Sequence, residues 1–121
     1  MTVAGLIGLG GIAGTLLRYY LGKWIIGRLG TGFPWGTWVI NMTGSLLLGV
    51  LFALHAEGRI GEAIWLAAGT GFCGAYTTFS TFGYETITFV QQGRIRKASL
   101  YVASSVLFGL LAAWLGISIV R

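Results

Sequence analysis

Long apolar runs separated by short polar punctuation make up almost the whole chain. Four runs stand out, Val3–Ile26, Gly36–Leu54, Ala63–Val90 and Ala98–Val120. Each reaches the ~17–25 residues that a helix needs to cross a hydrocarbon core of about 30 Å. Between them lie "GRLGTGFPW" (27–35), "HAEGRIGE" (55–62) and "QQGRIRK" (91–97), where glycine, proline and charge mark connections. Trp24, Trp35, Trp38 and Trp65 fall near run ends, the expected depth of interfacial anchors. The pattern predicts an all-α membrane protein, one four-span domain over residues 1–121 with both termini on one side. The third run is the irregular one. Its centre reads "TGFCGAYTTFSTF" (70–82), with five hydroxyls in the six residues from Tyr76 to Thr81 and helix-weakening Gly71 and Gly74 just before them.

Composition narrows the function classes. With 55% of residues hydrophobic and 9% charged, the chain has too little polar surface to cover a water-soluble core. The first run has no basic stretch before it and three spans after it, so it reads as a span and not as a cleavable leader. Cys73 is a lone cysteine, so no disulfide forms within one chain. His55, the single histidine, sits at a span end with no cysteine or second histidine to share a metal. The net charge of +5 does not indicate nucleic-acid binding, because the cations are spread over short loops. Arg94, Arg96 and Lys97 follow a span directly, where basic residues meet anionic headgroups. Six cations (Arg18, Lys23, Arg28, Arg94, Arg96, Lys97) lie toward loops one and three, against two (Arg59, Arg121) on the other side. The positive-inside rule therefore places loops one and three in the cytoplasm. No residue set supports an enzyme.

Polar residues inside the spans are the candidates for function. "GLGGIAG" (8–14) superficially matches a dinucleotide fingerprint, but that motif needs a strand and a soluble βαβ unit. Gly10 and Gly14 instead offer a surface for close helix approach. Arg18 reads either as a snorkelling side chain or as a cation drawing anions into a vestibule. In span two Thr37, Asn41 and Ser45 recur every four residues and share a face. Span four supplies a matching line in Tyr101 and Ser105, with Ser104 beside them. Such uncharged donors can replace water around a small anion where carboxylates would repel it. Glu85, the one acid within a span, reads either as a proton carrier or as a structural residue that pairs with a cation or bonds to hydroxyls near the helix start. The hydroxyl-rich stretch predicts a third helix broken near its middle. Carbonyls freed by such a break are tolerated in a membrane only where something satisfies them, often a sodium ion. Phe79 and Phe82, three apart, project to one side after the break. Four helices are too few to enclose a polar path alone, so transport implies a dimer.

Taken together, an arginine late in span one, "PWGTWVINMTGS", "GFCGAYTTFSTFGYE" and Tyr-x-x-x-Ser in span four resemble the Fluc/CrcB family of fluoride channels over the whole chain. The resemblance implies an antiparallel dimer of four-helix subunits in the bacterial inner membrane, conducting fluoride passively out of the cell. It implies a central sodium ion, structural and not transported, held by backbone carbonyls that map onto Gly74 and Thr77. Phe79, Phe82 and Asn41 correspond to its pore-lining phenylalanines and asparagine, Tyr101 and Ser105 to its polar track, and Arg18 to its vestibule arginine. A third track position, commonly serine, is Gly109 here. The loop-charge bias departs from strictly dual-topology members, so the partner is either a second copy or an oppositely oriented homologue. A proton-coupled small multidrug-type exporter is the rival. Such exporters carry a carboxylate in span one, where this chain has only a cation.

Overall fold

The computed structural model describes residues 2–121, and all the regular structure among them is helical. Helix α1 covers Val3–Leu29 and α2 covers Trp35–Ala56. The third span is made of two pieces, α3 over residues 62–76 and α4 over Phe79–Gln91. Helix α5 covers Ile95–Val120. Helices α1, α2 and α5 are each long and apolar enough to cross a membrane. The 13 residues of α4 fall short of the ~17 required, so the third span crosses only as the sum of its halves. The outer faces of α1 and α5 are largely exposed and apolar, as a lipid-facing bundle requires.

Local chemistry sets the ends. The Thr2 hydroxyl accepts from the Gly5 amide at 3.1 Å and caps α1. Gly30 and Gly93, at φ 78° and 75°, follow the ends of α1 and α4 in the left-handed region that other residues rarely enter. Loop two is tied to the C-terminus, because Arg59 donates to the Val120 carbonyl and Glu57 lies 4.0 Å from Arg121. Those contacts put loop two and the chain end at one end of the bundle, as an even number of spans requires.

Helices α2 and α5 pack along each other, and α1 packs along α3. Both contacts depend on the absence of side chains. A Cβ on Gly14 would lie 3.1 Å from the Phe72 carbonyl carbon and from the Tyr76 amide nitrogen. A Cβ on Gly10 would run into the Ala67 carbonyl, and one on Gly49 into the Ala113 carbonyl. Gly10 and Gly14 therefore serve the close approach that their spacing suggested. Nine residues of α3, Trp65–Cys73, wind as the wider π form. The glycines of this run are helical; the extended residues come after Tyr76. Gly71 faces the Ile7 backbone of α1, so it serves packing more than the break.

Close approach at Gly14 predicts a sharp contrast between two helical glycines. Gly14→Ala should destabilise the purified protein by about 1–3 kcal/mol through overpacking against backbone. Gly27→Ala, where nothing lies within 4 Å, should instead be neutral or stabilise by up to about 1 kcal/mol. Unfolding in detergent measures both, and equal effects would contradict the packing described.

Candidate functional site

The break in the third span consists of two residues. Thr77 (φ −80°, ψ 156°) and Thr78 (φ −145°, ψ 115°) are extended, and the helix resumes at Phe79. Backbone that leaves a helix inside a membrane must find partners within the protein. Asn41 of α2 supplies two of them. The Thr78 amide donates to Asn41 Oδ1 at 2.9 Å, and Asn41 Nδ2 donates to the Thr78 carbonyl at 3.1 Å. The Thr78 hydroxyl caps α4, accepting from the Thr81 amide at 3.2 Å. Thr77 turns back, its amide and hydroxyl both donating to the Cys73 carbonyl at 3.0 and 2.8 Å.

In an uninterrupted helix, the Thr78 and Thr81 amides would donate to the carbonyls of Gly74 and Thr77. Here both amides donate elsewhere. The two carbonyls expected to face a cation are therefore among the four, residues 74–77, whose helical donors are lost at the break. Gly74 is exposed on the surface of the single chain, while Thr77 is half-buried.

A second anchor holds the approach to the break. The Thr43 hydroxyl donates to the Val39 carbonyl at 2.8 Å, so the buried Tyr76 hydroxyl, 2.8 Å away, donates to it. Gly44 makes room, since a Cβ there would run into the Thr77 methyl and lie 3.2 Å from the Tyr76 ring.

Beside the break lies a cavity of about 330 Å³. Asn41, Phe79, Phe82 and Ser105, four of the residues picked out in the sequence, line it together, and Ser45 joins them. Its lining includes no charged side chain. The Ser105 hydroxyl is buried there without a protein hydrogen-bond partner. Gly109 also lines the wall and contributes no hydroxyl. The Phe79 and Phe82 rings are 6.0 Å apart. Phe79 is 84% exposed in the single chain, far more than a core phenylalanine, and so awaits cover from lipid or protein.

The remaining candidates lie elsewhere. Tyr101 is fully buried and lines neither this cavity nor a second one of about 350 Å³ bordered by Thr37, Glu85 and Arg94. Its ring centroid lies 5.0 Å from that of Phe82, which lines the first cavity, and 6.3 Å from that of Phe89, which lines the second. Its hydroxyl donates to Glu85 Oε1 at 2.8 Å, which gives Glu85 a hydrogen-bonded, structural position. Thr37 is buried at the second cavity and not with Asn41. Arg18, half-buried on α1, lines neither space. Two contacts were not legible in the spacing. Trp38, read as an interfacial anchor, donates its indole N–H to Ser104 at 3.2 Å between α2 and α5. The Asn41–Thr78 pair joins residues far apart in sequence, and only the cost of an unpaired amide in a span hinted that a partner existed.

The model of the family described as CrcB-like protein, Camphor Resistance (CrcB), matches residues 5–117. A protein of Moorella thermoacetica named fluoride-specific ion channel FluC 2 is 51% identical over 110 residues, covering 91% of this chain and 89% of its own. One of Acidobacterium capsulatum, named fluoride-specific ion channel FluC, is 52% identical and covers 91% and 89%. A third, of Thermus thermophilus and the same name, is 46% identical and covers 92% and 87%.

The Tyr101–Glu85 bond has a measurable consequence for stability. Tyr101→Phe deprives a carboxylate of its hydroxyl donor and should cost about 1–3 kcal/mol in unfolding experiments. Glu85→Gln keeps an acceptor in place and should cost less than half as much. The reverse order would show that this bond does not hold α4 to α5.

Proposed function

The chain belongs to the CrcB family, and on that footing we propose that it is a fluoride-specific ion channel that lets fluoride leave the cytoplasm passively. We infer further that it works as an antiparallel dimer around a structural sodium ion. The observation that carries the reading is the uncharged cavity beside the break, where Asn41, Ser45, Ser105, Phe79 and Phe82 converge.

Fluoride is small and tightly hydrated, so a path for it must offer donors that replace water. The Asn41 amide has two N–H groups, one donating to Thr78 and the other left for the cavity. The Ser105 hydroxyl, buried and unpaired with protein, is a second donor at the same wall. The edges of aromatic rings are partially positive, so Phe79 and Phe82 can face an anion as well as lipid. No carboxylate lines the cavity to repel it.

The Gly74 and Thr77 carbonyls, relieved of their helical donors, suit a hard cation bound through oxygen. A sodium ion there would add an attraction for fluoride of roughly 1.7 kcal/mol at ~10 Å and an effective dielectric near 20, enough to favour entry without trapping. The exposure of Gly74 and Phe79 supports a second subunit over this face, either another copy or an oppositely oriented homologue. The exporter reading has less to rest on, since the one carboxylate among the spans is bonded to Tyr101.

The test is fluoride release from liposomes containing the purified protein, followed with a fluoride electrode and no proton gradient. Channel function predicts rapid release that a proton gradient does not alter. Phe79→Ile or Phe82→Ile should abolish release while the dimer still forms. Release that requires a proton gradient would support an exporter, and undiminished efflux in both variants would remove the phenylalanines from the path.

A further inference from the structure

We propose that Asn41 and the Thr78 hydroxyl keep the Gly74 and Thr77 carbonyls available to the cation, which makes both of them positioning residues for its site. The inference rests on the sodium reading above and adds to it two side chains that need not touch the ion.

The hydrogen bonds carry it. One ion held by two carbonyls requires that neither be taken by its own helix. The donor that would close the helix on Gly74 is the Thr78 amide, diverted by Asn41 Oδ1 at 2.9 Å. The donor that would close it on Thr77 is the Thr81 amide, diverted by the Thr78 hydroxyl at 3.2 Å. The diverting acceptors sit on different elements, α2 and the break itself. Asn41 Nδ2 also grips the Thr78 carbonyl at 3.1 Å, so the peptide groups on both sides of Thr78 are fixed to α2.

An amide freed at membrane depth must find a partner, and removing either acceptor gives the helical carbonyl a claim on it that the wild type denies. The Thr43–Tyr76 hydroxyl pair then matters too, because it holds α2 and the end of α3 in register for Asn41 to reach Thr78. Asn41 therefore has two separable tasks. One amide hydrogen faces the anion cavity, while its oxygen and other hydrogen hold the break.

Thermal unfolding of the purified dimer tests this, with sodium chloride titrated against N-methylglucamine chloride at constant ionic strength. Wild type should be stabilised by sodium with a saturable midpoint. Asn41→Ala and Thr78→Val should raise that midpoint at least tenfold, and Thr78→Ser, which restores the hydroxyl, should stay within about twofold of wild type. Valine matches the shape of threonine, so the Thr78 pair decides the matter even if Asn41→Ala fails to fold. Wild-type midpoints in Asn41→Ala and Thr78→Val would overturn the assignment and leave sodium binding intact. A wild type indifferent to sodium would overturn both.

Discussion

Inside a bilayer a peptide group that leaves the helix has no water to turn to, and at Thr78 a single side chain meets that need from both directions. Asn41 accepts from the amide and donates to the carbonyl of the same residue. Without this reciprocal pair the third span would have every reason to close into a continuous helix. With it, two extended threonines persist in the middle of the span, and the downstream half restarts under a threonine cap. The neighbouring features are arranged around that point. Gly44 leaves room for Thr77 and Tyr76, and the Tyr76–Thr43 bond holds the upstream end.

The break joins two kinds of chemistry that a continuous helix would keep apart. On one side it presents carbonyls without helical donors, suited to a cation. On the other it sets Phe79 and Phe82 beside Asn41 and Ser105 in a cavity without charged walls. On the function proposed above, a cation-friendly surface next to an anion-friendly one would let a weakly polar path favour fluoride without a fixed positive side chain that would hold it. Tyr101 lies behind this space, its ring packed against Phe82 and Phe89 and its hydroxyl donating to Glu85.

Much of this was legible in the sequence, for physical reasons. Membrane spans follow from the length of apolar runs, and the four expected spans match the helices to within a few residues. The break was readable because hydroxyls and glycines crowd one stretch, although its location was less so. The glycines were expected to open the helix, whereas Gly71 sits in the wide turns and serves close packing, Gly74 stays helical, and the threonines leave the helix. The cavity wall was largely readable from i, i+4 spacing: Asn41 and Ser45 share it, and Ser105 faces them from α5. Spacing could not tell that Thr37 lines a different cavity from Asn41, because that depends on how the other helices pack against α2. Nor could it pair Asn41 with Thr78 or Trp38 with Ser104, since both bonds join different helices. Arg18 carries a charge that the sequence makes conspicuous, yet within one chain it stands apart from both cavities.

Fluoride conduction that excludes other anions is the central claim, and the reversal potential across a planar bilayer tests it most directly. With purified protein in the bilayer, a fluoride gradient and symmetric chloride, the current should reverse at the fluoride equilibrium potential. It should stay there when a chloride or proton gradient is imposed as well. A reversal potential that moves with the chloride or proton gradient, or a bilayer without fluoride current, would contradict it.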